Sequence, residues 1–359
     1  MRRWLAMVAV FFWLPALALA VPETPYAPET VMRTVDLPEA ALAALDVLYP
    51  AVRGCEEKID LPGGTRYDDV TAAMQSLSRD YPELFHLENA WTIVYRQSEP
   101  EYATQVIPGY RMSPEAYRAS LERLLQTARD MVGRTAGSQA DRAEALHDRL
   151  CDGASYDGSE TGEADNTAVG ALLNGVTRCE GYAGGLALLY RLAGIPCGVV
   201  IGDAGDAESV SRHAWNVAVL DGQPTLIDAT WNDQEEGGNT HWYYGLTDWM
   251  MAADHTPDPD MALPACTSLA VNWHARRGLL AADGAGIDAA LRWFQQSGEV
   301  SIRFADAAVY ADFDERINDW FSAYNVAHPD APFYGYYGVI ASEAQLCVRL
   351  RAMEEDELP

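Results

Sequence analysis

Apolar positions recur at helical spacing in several long segments of the chain. The clearest is SPEAYRASLERLLQTARDMVG, where Ser113 is an N-cap, Pro114 occupies the first helical position and Gly133 follows the last turn. A second segment, GYAGGLALLYRLAG, ends at Gly194 and has the small and apolar residues of a buried helix. The spacing predicts a helix over each segment.

Other segments have the composition of strands. The runs HAWNVAVLDG and TLIDAT are rich in apolar and β-branched residues and are joined by an Asp-Gly turn, which predicts a β-hairpin. The run IPCGVVI predicts a buried strand, and RGCEEKIDLPGG and NWHARRGLLA also predict strands. Helices and strands are therefore mixed along the chain, which indicates an α+β protein.

Three residues at the edges of these elements suggest nucleophilic catalysis. Cys179 stands at the start of the buried helix, where the partial positive charge of the helix favours a thiolate. His213 opens the first strand of the hairpin and Asp228 closes the second, so that the hairpin can hold them side by side. A neighbouring imidazolium stabilises a thiolate, and a carboxylate fixes the tautomer of the imidazole. Each residue alone would be ordinary, as a buried cysteine, a strand histidine and a turn aspartate.

The blocks RCEGYAGGLALLYRLAGIPC, HAWNVAVLDG and LIDATWND resemble the transglutaminase-like superfamily, in the branch related to a cytokinesis protein and common in secreted bacterial proteins. The flanking segments LHDRLCDGASYD, DNTAVGALLNG and HWYYGLTDWMMAADHT fit the same pattern. The resemblance implies a papain-like α+β core, in which a helix bearing Cys179 at its N-terminus packs on an antiparallel sheet bearing His213 and Asp228. It implies that Cys179 is the nucleophile, His213 the base and Asp228 the orienting residue.

Five further residues are candidates for the substrate cleft. Tyr156 either lines the cleft or packs in the core, and Tyr182 is a candidate for the cleft wall. Asn166 either caps the helix that follows it or points toward the active site. Trp215 and Trp231 flank the His213 and Asp228 strands, where each is either a core residue or a substrate platform.

The first twenty residues have the features of a secretory signal peptide. Arg2 and Arg3 precede an apolar run, and Ala18-Leu19-Ala20 is a cleavage site of the A-x-A type. The remaining sequence contains no apolar stretch long enough to predict a membrane span. The sequence therefore predicts a secreted or extracytoplasmic protein, with an uncleaved N-terminal anchor as the alternative.

The predicted organisation has seven parts. They are a signal peptide at 1–20, a linker with a short helix at 21–50, an N-terminal α+β domain at 51–135, a transglutaminase-like catalytic core at 136–256, a second linker at 257–270, a C-terminal α+β domain at 271–352 and an acidic tail at 353–359.

The charge of the chain argues against two classes of partner. The formal net charge is −28, and Lys58 is the only lysine. Such a surface argues against nucleic acid and anionic membranes as partners. The seven histidines show no metal-motif spacing, and we expect no cofactor and no metal.

The expected function is cysteine-dependent acyl transfer on a protein or peptide, with a cell-wall peptide among the candidates. Water as the second nucleophile would make the protein a peptidase or amidase, which we favour because no acyl-acceptor site or calcium switch is visible in the sequence. An amine would make it a cross-linking transglutaminase, and an idle triad would leave a binding or scaffold module. The sequence does not determine the oligomeric state.

Overall fold

The computed structural model describes residues 25–159, 165–206, 208–234 and 238–354, which form three units packed together. The predicted signal peptide and most of the acidic tail lie outside the described residues. Among the described residues, no helix is both long enough and apolar enough to cross a membrane.

The front unit packs two helices on a three-stranded antiparallel sheet of order β1-β3-β2. Leu48, Val70 and Val106 are fully buried in its core. Its elements are α1 (Glu39–Arg53), β1 (Ile59–Asp60), α2 (Tyr67–Asp80), β2 (Leu87–Arg96) and β3 (Glu99–Tyr110).

Segment 21–50, for which a linker with a short helix is predicted, contributes most of a 15-residue helix to this front unit. Helix α1 has 15 residues and buries Leu45 and Leu48 against α2. Ahead of α1, Thr34 Oγ1 donates a hydrogen bond to Val199 O at 2.6 Å and attaches the segment to the central unit. The predicted short helix is thus part of the front unit, and it extends three residues past the expected boundary at residue 50.

The central unit packs helices against a five-stranded antiparallel sheet of order β11-β8-β7-β6-β12. The predicted α+β core, with an antiparallel sheet behind the cysteine helix, is confirmed. Its elements are α3 (Pro114–Val132), α4 (Gln139–Gly153), β4 (Ser155–Tyr156), β5 (Val176–Thr177), α5 (Cys179–Leu192), β6 (Cys197–Gly205), β7 (Val210–Leu220), β8 (Gln223–Ile227), α6 (Ala229–Asn232), β9 (Asp233–Gln234), β10 (Gly238–Asn239), β11 (Tyr244–Leu246), α7 (Asp248–Met251) and β12 (His255–Pro257).

Helix α3 lies where its caps predict but belongs to the central unit. Ser113 Oγ accepts a hydrogen bond from the Ala116 N–H at 3.3 Å. Tyr117, Leu121 and Leu124 bury their side chains in the same core as α5. The front unit therefore ends before α3, earlier than the expected boundary at residue 135, because the apolar face of α3 is covered by the central helices.

The C-terminal unit is a four-stranded sheet of order β13-β14-β16-β15 covered by helices. Its elements are α8 (Trp273–Arg277), β13 (Leu280–Ala281), α9 (Gly284–Ser297), β14 (Glu299–Phe304), α10 (Ala307–Glu315), α11 (Ile317–Ala327), β15 (Tyr336–Ser342) and β16 (Cys347–Met353). The segment NWHARRGLLA, which was predicted to be a strand, begins instead as helix α8. Asn272 Oδ1 caps this helix by accepting from the Ala275 N–H at 3.1 Å, and Gly278 ends it with φ of 68°.

Candidate active site

The hairpin of β7 and β8 brings His213 and Asp228 together. Asp221 and Gly222 form its turn with φ angles of 48° and 78°, the left-handed pair that a tight hairpin needs. His213 lies on β7, and Asp228 directly follows β8. His213 Nε2 donates to Asp228 Oδ2 at 2.7 Å, and both side chains are buried.

Cys179 is the first residue of α5, and its sulfur lies near enough to the His213 ring to raise the pKa of the imidazole. Since Nε2 of His213 faces Asp228, Nδ1 is the nitrogen that remains for the thiol. The structure therefore brings together all three residues that the sequence proposed as a triad.

The charges of the site favour a protonated His213. Burial lowers the pKa of this histidine, but the negative charge of Asp228, its hydrogen bond and the Cys179 sulfur together raise it to about 10. Burial also opposes ionisation of Asp228, yet the charge of His213 and the hydrogen bonds from His213 and His255 hold its pKa well below the usual range.

Asp228 also begins the short helix α6. Its Oδ1 atom accepts from the backbone N–H groups of Thr230 at 2.8 Å and Trp231 at 3.2 Å. With His213 and His255 on Oδ2, the carboxylate accepts four hydrogen bonds. Such a set of donors fixes both the position and the ionised state of the carboxylate.

The sequence reasoning missed His255 and Asp254, which continue the chain of contacts behind the triad. His255 Nε2 lies 3.1 Å from Asp228 Oδ2, and His255 Nδ1 lies 2.6 Å from Asp254 Oδ1. The only available signal was their adjacency in the segment HWYYGLTDWMMAADHT, which resembles the family but contains no recognisable motif at this pair.

Asn166 caps the nucleophile helix from outside it. Its Oδ1 atom accepts from the Gly181 N–H at 3.2 Å, and its Nδ2 atom donates to Glu180 Oε2 at 2.9 Å. The N-cap position itself is held by Arg178, whose side chain makes no capping bond. Asn166 thus caps α5 rather than the segment that directly follows Asn166. Its two partners, Glu180 and Gly181, are the residues that come directly after the nucleophile.

Tyr156 lies beside the nucleophile and is partly open to solvent. Strand β4 pairs in parallel with β5, so that Tyr156 is opposite Thr177, just before Cys179. Its side chain is 41% exposed. Burial first, and then the charge of Cys179, raise the pKa of Tyr156, while Arg178 opposes this. These positions fit a residue of the cleft.

The other aromatic candidates separate into a buried and a partly exposed group. Tyr182 is 0% exposed and donates its hydroxyl to Asp233, and Trp215 is 1% exposed, so both belong to the interior rather than to an open cleft. Trp231 is partly exposed, and its ring centroid lies 5.5 Å from that of His213. Of the three, Trp231 is the one that combines partial exposure with contact to His213.

A groove of about 480 Å³ lies between the front unit and the nucleophile helix. Glu180 and Asn166 line it on the side of Cys179, Trp91 and Arg111 line it from the front unit, and Ile201 forms part of the floor. Because Glu180 follows Cys179 directly, the groove approaches the nucleophile.

In the part of the chain that the structure describes, two clusters of imidazoles and carboxylates have atoms close enough for a metal ion, although the sequence contains no metal motif. One is His213, Asp228 and His255; the other is His147, Asp148 and His241. In the second cluster, Asn232 Nδ2 donates to His147 Nε2 at 3.0 Å, which leaves a proton on Nδ1 for Asp148 at 3.1 Å. Hydrogen bonds to a carboxylate therefore account for these contacts.

All six cysteines are free thiols, and only Cys55 and Cys179 are partly exposed. Burial raises the pKa of Cys197 to about 12 and that of Cys347 to about 11. Burial also raises the pKa of Cys55. Thiols with raised pKa values are poor nucleophiles near neutral pH.

Known proteins resemble the central part of this chain. The sequence model of the transglutaminase-like superfamily matches residues 126–231. The mouse Kyphoscoliosis peptidase is 29% identical over 142 residues, which are 34% of this chain and 22% of that protein. The human Kyphoscoliosis peptidase is 33% identical over 107 residues, 27% of this chain and 16% of that protein. The chain thus matches less than a quarter of the length of these relatives.

Two solved structures are similar to part of this chain at low identity. A candidate cysteine protease from Cytophaga hutchinsonii is 13% identical, with a TM-score of 0.27 over 39% of this chain and 61% of that one. A TGase structure is 16% identical, with a TM-score of 0.29 over 48% of each chain. The family match contains Cys179, His213 and Asp228. Residues 126–231 of this chain therefore match the transglutaminase-like superfamily.

Proposed function

We propose that this protein is a cysteine-dependent amide hydrolase, a peptidase or amidase that works through a thioester at Cys179. The observation that carries the proposal is the contact of Cys179, at the N-terminus of α5, with a His213 that is hydrogen-bonded to a buried Asp228. A helix N-terminus and an imidazolium both favour the thiolate, which is the reactive form of cysteine.

In the first half of the proposed reaction, the Cys179 thiolate attacks the carbonyl carbon of an amide. The backbone N–H of Cys179, which is free of an intrahelical partner in the first turn, supports the negative charge on the carbonyl oxygen. His213 then gives its proton to the leaving nitrogen as the C–N bond breaks. The products are a free amine and a thioester on Cys179.

In the second half, water deacylates the thioester. His213, now neutral, takes a proton from the water as the oxygen attacks the carbonyl carbon. The C–S bond breaks, a carboxylic acid leaves and the thiolate is restored beside a protonated His213. Asp228 keeps Nε2 of His213 protonated throughout, so that Nδ1 faces the reacting atoms.

The proposed substrate is a protein or peptide bound in the groove beside Glu180. The groove has room for several side chains, and Tyr156 and Trp231 would border the scissile amide. The net charge of −28 makes nucleic acid and anionic membranes poor partners. Secretion, which the first twenty residues predict, would make extracytoplasmic peptides, including those of a cell wall, the available substrates.

The alternative within the same chemistry is a transglutaminase, in which an amine deacylates the thioester. A transglutaminase must exclude water from the thioester. Here Cys179 is partly exposed, Tyr156 is 41% exposed and the adjacent groove is open, which favours water.

Competing assays distinguish hydrolysis from cross-linking. One sample receives a peptide library, and the appearance of new amino termini or free ammonia is followed by mass spectrometry. A parallel sample receives a glutamine-containing protein and a fluorescent primary amine. We expect hydrolysis that is absent in Cys179→Ala and retained in Cys55→Ala, with little amine incorporation. Strong incorporation that depends on Cys179, without hydrolysis, would assign the protein to the cross-linking enzymes.

A further inference from the structure

We propose that His255 is a positioning residue, held as an imidazolium between Asp228 and Asp254, that balances the charge of Asp228 behind the triad. This role rests on the proposed function, in which Asp228 orients His213. His255 makes no contact with the reacting atoms and acts through Asp228.

The hydrogen bonds of His255 require protons on both ring nitrogens. Nε2 faces Asp228 Oδ2 at 3.1 Å, and Nδ1 faces Asp254 Oδ1 at 2.6 Å. An ionised carboxylate only accepts hydrogen bonds, so each nitrogen must donate. A neutral imidazole carries one such proton and would leave one of these contacts without a hydrogen.

The surroundings of Asp254 keep the second proton on His255. Asp254 Oδ2 accepts from the Tyr243 hydroxyl at 2.8 Å and from Gln345 Nε2 at 3.0 Å. Donors to a carboxylate stabilise its ionised form, so the proton shared at the 2.6 Å contact stays on the imidazole. Although burial lowers the pKa of His255, its bonds to Asp228 and Asp254 raise it.

The charges therefore alternate along one line of contacts. Within the described part of the chain, the ionisable groups in contact with His255 are Asp228, Asp254, His213 and Tyr243, and the uncharged rings of Trp215 and Trp231 also pack against it. Asp228 thus lies between two imidazolium rings. A single buried carboxylate would otherwise place its full negative charge behind His213 and oppose the thiolate at Cys179.

The C-terminal unit completes this arrangement. Gln345 lies between β15 and β16, is almost fully buried, and also donates to Met250 O at 3.3 Å. Arg303 Nη1 donates to Gln345 O at 2.8 Å and holds the turn. A residue in a turn of the C-terminal unit therefore contacts Asp254, and so gives this unit a part in the geometry of the site.

The first test is the protonation state of His255 in the full-length wild-type protein. Histidine labelled with ¹⁵N reports whether each ring nitrogen carries a proton, and the ring is assigned by its proximity to Trp215. At pH 8 an unperturbed histidine, with a pKa of about 6.5, is neutral. We expect both nitrogens of His255 to be protonated at pH 8, and an unprotonated nitrogen would overturn the inference.

The second test measures the rate of Cys179 carbamidomethylation by iodoacetamide as a function of pH between pH 5 and 9. His255→Gln keeps an amide donor for Asp228 but removes the positive charge. In this variant we expect the acid limb of the labelling profile of Cys179 to move to higher pH by about one unit, because one positive charge near the thiolate is lost. His274→Gln is the matched control: it removes another buried imidazole, whose pKa burial holds well below the usual range, and should leave the profile in place.

The outcomes separate this inference from the proposed function. A wild-type Cys179 that labels no faster than Cys55 would contradict the proposed function. If Cys179 labels fast in the wild type but the acid limb of its pH profile does not move in folded His255→Gln, the role of His255 is contradicted and the proposed function is not. If His255→Gln does not fold, the ¹⁵N measurement on the wild type still decides the matter.

Discussion

Asn166 accepts a hydrogen bond from the backbone N–H of Gly181 at 3.2 Å, and so supplies from a separate segment the cap that helix α5 lacks at its own N-cap residue. The helix is the one that presents Cys179. The position of the nucleophile therefore depends on a residue that contacts neither His213 nor Asp228 in the structure described above.

Replacing Asn166 with alanine should loosen the start of α5. Loss of a helix cap typically costs about 1 kcal/mol. We expect Asn166→Ala to lower the free energy of unfolding by about that amount and to slow the labelling of Cys179. Asn89→Ala, which removes another amide from the same groove without touching α5, is the control. Equal effects of the two substitutions would contradict a capping role.

Two glycines of α5 should respond in opposite ways to alanine. A Cβ on Gly181 would lie 1.8 Å from Thr177 Oγ1, whereas a Cβ on Gly184 would meet nothing closer than 3.5 Å. Gly184→Ala should therefore stabilise the protein by about 0.5–1 kcal/mol through better helix propensity. Gly181→Ala should destabilise it and displace the strand before Cys179. Chemical denaturation of both variants measures the difference, and the same sign for both would refute the packing argument.

Asp228→Asn should impair both catalysis and stability. An asparagine in place of the orienting aspartate of a serine-protease triad lowers kcat by about 10⁴, because the imidazole adopts the wrong tautomer. Asp228 also accepts from His255 and caps α6, so we expect a stability loss of about 1–3 kcal/mol as well. Thermal unfolding and hydrolysis rates together test this, and a variant as stable as the wild type would show that the four hydrogen bonds contribute little.

Stability should fall on the alkaline side. The folded pKa of His213 is raised to about 10, so the stability it contributes is complete below the unfolded value of about 6.5 and is lost as pH rises through about 10. The folded pKa of Asp228 is lowered, so its contribution is present above about 3.9 and is lost as pH falls toward the folded value. Tm measured from pH 6 to 10 should decline in the wild type and decline less in Asp228→Asn. Parallel curves of Tm against pH for the two proteins would exclude the His213–Asp228 ion pair as the cause of the decline.

The sequence predicted the central fold and the three residues of the proposed triad because local patterns mark them. A helix with a cysteine at its start and a hairpin with an Asp-Gly turn are short-range features. By contrast, His255 is 27 residues from its partner Asp228 along the chain, and Gln345 is 91 residues from its partner Asp254. No periodicity in the sequence encodes such pairings.

The differences between the predicted and the observed structure have local physical causes. The segment NWHARRGLLA has strand-like ends, but the Asn272 cap and the left-handed Gly278 make its first half a helix. Tyr182 was a candidate for the cleft wall and Trp215 for either the core or a substrate platform, because both neighbour the triad in sequence. Helix and strand periodicity turn their side chains into the interior instead.

The most direct test of the central claim, a reactive Cys179 thiolate sustained by His213, is brief labelling with iodoacetamide at pH 6 followed by mass spectrometry. Cys55, the other partly exposed thiol, serves as the internal reference. The account predicts that Cys179 is labelled well ahead of Cys55 in the wild type and that His213→Ala loses this advantage. Slow and equal labelling of both cysteines in the wild type would contradict it and favour a scaffold with an idle triad.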